Sequence, residues 1–122
     1  MIREIERPEI DFKFWIWRDY KFYYNEENGE YFLKTGFKTK IYFNLEGNVH
    51  RIGKPAIEYC DGEKQWRENG KCHRLNGAAH IYYYNKYYFI NNNNYIEKEF
   101  AEKTKHLVCG NCGGFCKQEC FI

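Results

Sequence analysis

The sequence predicts a mainly β protein: an antiparallel meander of repeated hairpins, closed by one C-terminal helix and followed by a cysteine-rich tail. Three observations carry this expectation. Aromatic residues make up 20% of the 122-residue chain, and 12 of them are Tyr; Tyr and Phe favour strands, where a broad side chain covers a pleated surface. The sequence overlays itself when shifted by 23 residues. Asn28-Gly29, Asp61-Gly62 and Asn69-Gly70 separate apolar runs, and such pairs are strong hairpin signals.

The elements follow in order. Residues 1–7 alternate charged and apolar side chains and lack the apolar block of a signal peptide. That predicts a protein kept in a host cytoplasm or a virion, not one secreted by a leader. Residues 12–17 alternate with the period of a strand. Phe12, Phe14 and Ile16 fall on one face, Trp15 and Trp17 on the other, and Pro8 suits the approach to such a strand. Residues 20–24 and 31–33 flank Asn28-Gly29 as a hairpin, and residues 38–43 complete the N-terminal sheet.

The 23-residue repeat comes next. Gly47 falls on Gly70, His50-Arg51 on His73-Arg74, Ala56 on Ala79 and Tyr59 on Tyr82, while Phe43, Trp66 and Phe89 form an aromatic series. A self-match with a period of about 20 to 50 residues marks a repeat architecture. Gly47 and Gly70 are followed at the same interval by Asn93, and Gly62 by Asn85. Gly and Asn are the residues that most readily take positive φ, so both series predict tight turns. Each unit then reads strand, turn, strand, turn, through residues 56–60, 64–68, 79–84 and 87–90.

After residue 95 the pattern becomes helical. Ile96, Phe100, Lys103 and Leu107 share a stripe; Glu97 and Glu99 come early, and Lys103, Lys105 and His106 late, which complements the helix dipole. The expected organisation is one domain: N-terminal hairpins over 1–42, repeats over 43–95, a capping helix over 96–108 and the tail over 109–122.

Trp66-Arg-Glu-Asn-Gly70-Lys71-Cys-His73-Arg74-Leu-Asn-Gly77-Ala-Ala79 resembles a MORN-type unit. It is closest to the variant W-x-x-N-G-K-x-H-R-x-x-G-P-A seen in phages and giant DNA viruses. The resemblance covers about residues 43 to 107. It departs from the pattern at Gly53-Lys54-Pro55, at Ala78 in place of Pro, and through much of the third unit. It implies a fold and no activity. The abundance of Lys, Asn, Ile, Tyr and Phe, all with AT-rich codons, gives a further hint of a viral source.

Chemistry-bearing residues are few. His50-Arg51 and His73-Arg74 recur once per unit with Gly47, Trp66 and Gly70, which points to a shared packing scheme within each repeat more than to a catalytic dyad. An Arg lying over a Tyr or Trp ring contributes about 0.5–2 kcal/mol. The tail carries Cys109, Cys112, Cys116 and Cys120, four thiolates that could hold zinc or form disulfides. Both readings stay open, and zinc is the only cofactor implied. Cys60 and Cys72 are core residues or partners for the tail.

There is no glycine-rich phosphate loop, serine elbow or repeated acid pair, so the expectation is a non-enzyme. No run approaches the roughly 18 apolar residues of a membrane span. A net charge of +2 argues against a binder driven by phosphate charge. The leading expectation is a structural or interaction module, a virion component or host-directed binder, contacting another protein through aromatic anchors at Tyr82, Tyr84, Tyr87 and Tyr88. The alternative is a zinc-dependent nucleic-acid-binding protein that stacks bases on tyrosines near Lys38, Lys40 and Lys86.

Overall fold

In a computed structural model, the described residues are 1–17 and 19–105, with the backbone of two short paired strands at 108–109 and 114–115. The strands run β1 (Ile2–Ile5), β2 (Lys21–Asn25), β3 (Glu30–Lys34), β4 (Lys40–Phe43), β5 (Ile57–Glu58), β6 (Lys64–Gln65), β7 (Arg67–Glu68), β8 (Lys71–Cys72), β9 (His80–Tyr82), β10 (Asn85–Ile90) and β11 (Asn93–Tyr95). Nine of them form one antiparallel sheet in the order β1-β2-β3-β4-β5-β6-β9-β10-β11, and β7–β8 is a separate hairpin. Helix α1 (Glu97–Thr104) packs beside β10 and β11. Among the described residues no helix is long and apolar enough to cross a membrane.

The N-terminal third differs from expectation in two respects. Residues 1–7 supply an edge strand, with Ile2 to Ile5 pairing Asn25 to Phe22, whereas residues 12–17 form no strand. The alternation there has another cause. The segment crosses the face of the sheet, tied down by Lys13 N–H donating to Gly47 O at 2.8 Å. Phe12, Phe14 and Ile16 press on the buried Phe22, Leu33 and Phe43, and Trp15 and Trp17 face outward. Period two reports which side of an extended chain is buried; it does not report ladder pairing.

Backbone hydrogen bonds correct the register of the repeat. Trp66 N–H donates to Ala79 O at 2.7 Å, and Trp66 O accepts from His73 N–H at 3.0 Å. The residue making the same pair of bonds one unit earlier is Tyr42, with Ala56 O and His50 N–H. The pairings Phe43↔Val49, Arg67↔Cys72 and Phe89↔Asn94 correspond. The equivalent aromatics are therefore Tyr42, Trp66 and Tyr88, not Phe43, Trp66 and Phe89. Spacings of 24 and 22 residues average to the 23 seen in the sequence.

Turn lengths absorb the difference. The first hairpin turns through residues 44–48 with Gly47 at φ +89°; the next uses Asn69 and Gly70 at +50° and +81°. The third uses Asn91 and Asn92 at +48° and +68°, so Asn93 lies in β11. Likewise Tyr83, at φ +54°, makes the β9–β10 turn, and Asn85 opens β10. Gly47 is further constrained because a Cβ there would lie 1.9 Å from Asp11 O.

The helix buries Phe100 and Thr104, and Thr104 Oγ1 donates to Phe100 O at 2.8 Å. Ile96, expected on the buried stripe, is exposed before the first turn, and Lys103 is exposed as well. Spacing i, i+4 from Phe100 selects Thr104 instead.

Candidate interaction surface

The His-Arg pairs join neighbouring units. His50 Nδ1 accepts from Asn69 N–H at 2.9 Å, and His73 Nδ1 accepts from Asn91 N–H at 3.1 Å. Each imidazole thus satisfies the turn of the following unit, not its own. Arg51 and Arg74 lie over the rings of Tyr42 and Trp66, at 3.7 and 3.9 Å from the centroids. Arg51 also meets Glu30 through two hydrogen bonds and Glu58 through a third, at 2.9 to 3.2 Å. Both arginines donate to the carbonyl four residues on, Pro55 O and Ala78 O, and Arg74 bonds Asn76 Oδ1 in place of a carboxylate. Burial pulls its guanidinium below the ordinary range. Gly77 leaves room for it, since a Cβ there would stand 3.1 Å from the guanidinium.

Charged side chains that are buried this way and held by several partners act as a frame. A second clip holds the turn after β5 to β9, where His80 Nε2 and Glu63 Oε2 are 2.5 Å apart. Neither arrangement places a nucleophile beside a base. Among the described residues no three His, Cys, Asp or Glu side chains gather to hold a metal. Cys112, Cys116 and Cys120 lie outside the described residues, as does the side chain of Cys109. Cys72 is buried and its thiol is pushed up by that burial, while Cys60 is exposed; neither is in a disulfide.

The candidate tyrosines divide. Tyr82, Tyr84 and Tyr87 are exposed, Tyr84 completely, and Tyr83 beside them is exposed too. Tyr82 and Tyr83 make an edge-to-face contact with centroids 4.4 Å apart. Tyr88 is half-buried: its ring packs on Phe100 at 4.8 Å, and it also lines a shallow pocket with Tyr84, Tyr87 and Tyr95.

A further aromatic surface lies near the middle of the sheet, at β4 and β5, where sequence reasoning placed no site. Phe37 is 84% exposed, Trp15 73% and Trp17 58%. The two Trp rings are in edge contact at 5.7 Å. Trp15 lines one pocket with Ile41 and Ile57, and Trp17 and Phe37 line a second with Ile41 and Tyr59. The signal was present in residues 12–17: the face opposite Phe12, Phe14 and Ile16 carries both Trp residues, and both are exposed among the described residues. No protein-family model, curated protein or solved structure matches this chain.

Proposed function

We propose that the protein is a non-enzymatic interaction module that binds another protein through exposed aromatic side chains on a rigid repeat sheet. The observation that carries this reading is the exposure of Trp15, Trp17 and Phe37 beside two pockets that share Ile41. Large exposed apolar side chains gathered on one surface mark contact sites, and Trp is over-represented among residues that dominate interface energies. The frame of His-to-turn bonds and Arg-over-ring contacts supports it by holding the sheet without using these residues. The exposed tyrosines near Tyr84 supply a second, smaller contact region. The proposed setting is a viral assembly or a host protein, on the resemblance of the repeat to the phage and giant-virus variant.

Affinity capture from the native source tests this reading with three baits: the full chain, a W15S/W17S/F37S variant and a Y82S/Y84S/Y87S variant. The reading expects a specific partner held by the full chain and lost from the first variant. Retention of the same partners by both variants would contradict it.

A further inference from the structure

We infer that a row of lysines aligned across one face of the sheet binds the phosphates of a single-stranded nucleic acid, with a base held among the tyrosines beside Lys86. This is a second surface, apart from the one that carries the protein-binding reading.

Strand register builds the site. Directly paired residues on neighbouring strands share a face. The pairs Lys21↔Lys34, Lys34↔Lys40, Lys40↔Glu58, Glu58↔Lys64, Lys64↔Ile81 and Ile81↔Lys86 therefore make one continuous row. It crosses from β2 to β10, about 29 Å at about 4.8 Å per strand. Lys21, Lys64 and Lys86 are exposed. Among the described residues, none of the five lysines makes an ion pair with a carboxylate. Like charges directly opposite one another destabilise a sheet, and protection of a sheet edge does not account for Lys21, Lys34 and Lys40 on interior strands. Lys34 and Lys40 lie over Tyr23 and Phe32, at 5.1 and 5.4 Å from the ring centroids. Those contacts hold the side chains and leave their charges available.

The nearby acids do not cancel the row. Glu58 accepts from Arg51 Nη1 at 3.1 Å. Asp19 and Glu63 belong to the other face: Asp19 lines a pocket with Ile41, and Glu63 bonds His80, which pairs with Gln65. Strand β1 ends at Ile5, short of the row, with Glu4 opposite Tyr23. Asp61 in the β5–β6 turn and Glu97 beside Lys86 complete the set. The chain's net charge of +2 is thus unevenly spread.

Two features select a single strand. Neighbouring strands rotate by about 20–25°, so the row coils across the sheet. A flexible strand can follow it, where a stiff duplex touches only part. At the β10 end, Lys86 lines a pocket with Tyr84, Tyr87, Tyr88, Asn94 and Tyr95, and Tyr84 is completely exposed. Stacking a base on such rings adds affinity with little regard to sequence.

Fluorescence anisotropy of the full chain with a labelled oligothymidylate of about twelve nucleotides tests the assignment. The comparison ligands are its duplex with oligoadenylate and a labelled polyglutamate. The expected result is saturable binding whose log K falls with log salt at a slope of about −3.5, and of about −1.4 in K21Q/K64Q/K86Q. That variant binds at least about ten-fold more weakly at low salt, and Tyr84→Ser about five-fold. K13Q/K71Q, which removes two cations from a pocket on the Ile41 face, binds as the parent does. The row is a cost to the free sheet, so the triple variant should unfold at a denaturant midpoint no lower than the parent's. Weaker binding is then not a folding defect.

No binding at low salt, equal binding by the triple variant, or an equal loss in K13Q/K71Q overturns the lysine row. Tighter binding of the duplex or of polyglutamate, or indifference to Tyr84→Ser, overturns the assignment to a single strand. Capture of a protein partner through Trp15, Trp17 and Phe37 is untouched by any of these results, so the two readings fail separately.

Discussion

The ring of Phe100 packs on that of Tyr88 with centroids 4.8 Å apart, covering the third member of an aromatic series whose first two members lie under Arg51 and Arg74. The third unit has Ile96 where the first two have arginine, and Ile96 leads into the helix that delivers Phe100. A helix side chain thereby completes a packing pattern that the repeat leaves unfinished, as the terminal caps of stacked repeats must. Phe100→Ala should destabilise the protein by about 3–5 kcal/mol, the usual cost of removing a buried Phe. Chemical denaturation measures it. A loss below about 1 kcal/mol, the scale of a surface substitution, would mean that the helix is not a cap.

Turn residues test the corrected register. Asn91 has positive φ and Asn93 is in a strand, so Asn91→Gly should be neutral or slightly stabilising. Asn93→Gly should cost roughly 0.5–1 kcal/mol. Tyr83 is a bulky residue at φ +54°, a conformation with a cost of order 1–3 kcal/mol, so Tyr83→Gly should raise the denaturation midpoint. The uncorrected register predicts the opposite ordering of Asn91 and Asn93.

Gly47 and Gly70 separate strain from close approach. Both have positive φ, but only at Gly47 would a Cβ collide with backbone, 1.9 Å from Asp11 O; at Gly70 the nearest atom is Asn48 Oδ1 at 3.4 Å. Gly70→Ala should cost about 1 kcal/mol and Gly47→Ala clearly more, since the N-terminal segment must also move. Equal midpoints for the two variants would show that residues 11–13 do not rest on that turn.

Alkaline pH should weaken the fold. Burial raises the Cys72 thiol and the Tyr42 hydroxyl above their ordinary values of 9.0 and 10.0. The unfolded chain releases these protons first, so their contribution is complete below about pH 9 and is lost as pH rises through the folded values. The urea midpoint should fall between about pH 8 and pH 11, and fall less in a Cys72→Ala, Tyr42→Phe variant. An identical drop in both proteins would assign the effect to other groups.

The tail cysteines Cys109, Cys112, Cys116 and Cys120 are expected not to be all free in the mature protein. Zinc would couple metal to the order of the tail and yield to chelator, whereas disulfides would resist chelator and yield to reductant. Metal analysis with thiol titration before and after each treatment distinguishes them. Four reactive thiols and no metal in native material would contradict both.

The fold class was legible because hairpin signals are local. Asn28-Gly29, Asp61-Gly62 and Asn69-Gly70 all fall between strands, and the alternation of residues 12–17 gave the correct buried face. Register was harder to read, because Tyr42 and Phe43, like Tyr88 and Phe89, are adjacent aromatics. One-residue differences in turn length decide which of each pair carries the repeat contact, and turn length leaves no mark on composition. Strand β1 was hidden for a related reason: an edge strand with charged side chains lacks a continuous apolar face. The aromatic surface was half legible. Trp15 and Trp17 were assigned a common face, but Phe37 joins Trp17 only through the turn between β3 and β4.

The most direct measurement is photo-crosslinking in native extract from a benzoylphenylalanine placed at position 37, with position 84 and the exposed Leu45 as comparison sites. A specific protein adduct from position 37, competed by excess unmodified protein and absent from position 45, is the predicted result. Adducts of equal yield from positions 37 and 45, or none from either 37 or 84, would contradict an aromatic binding surface.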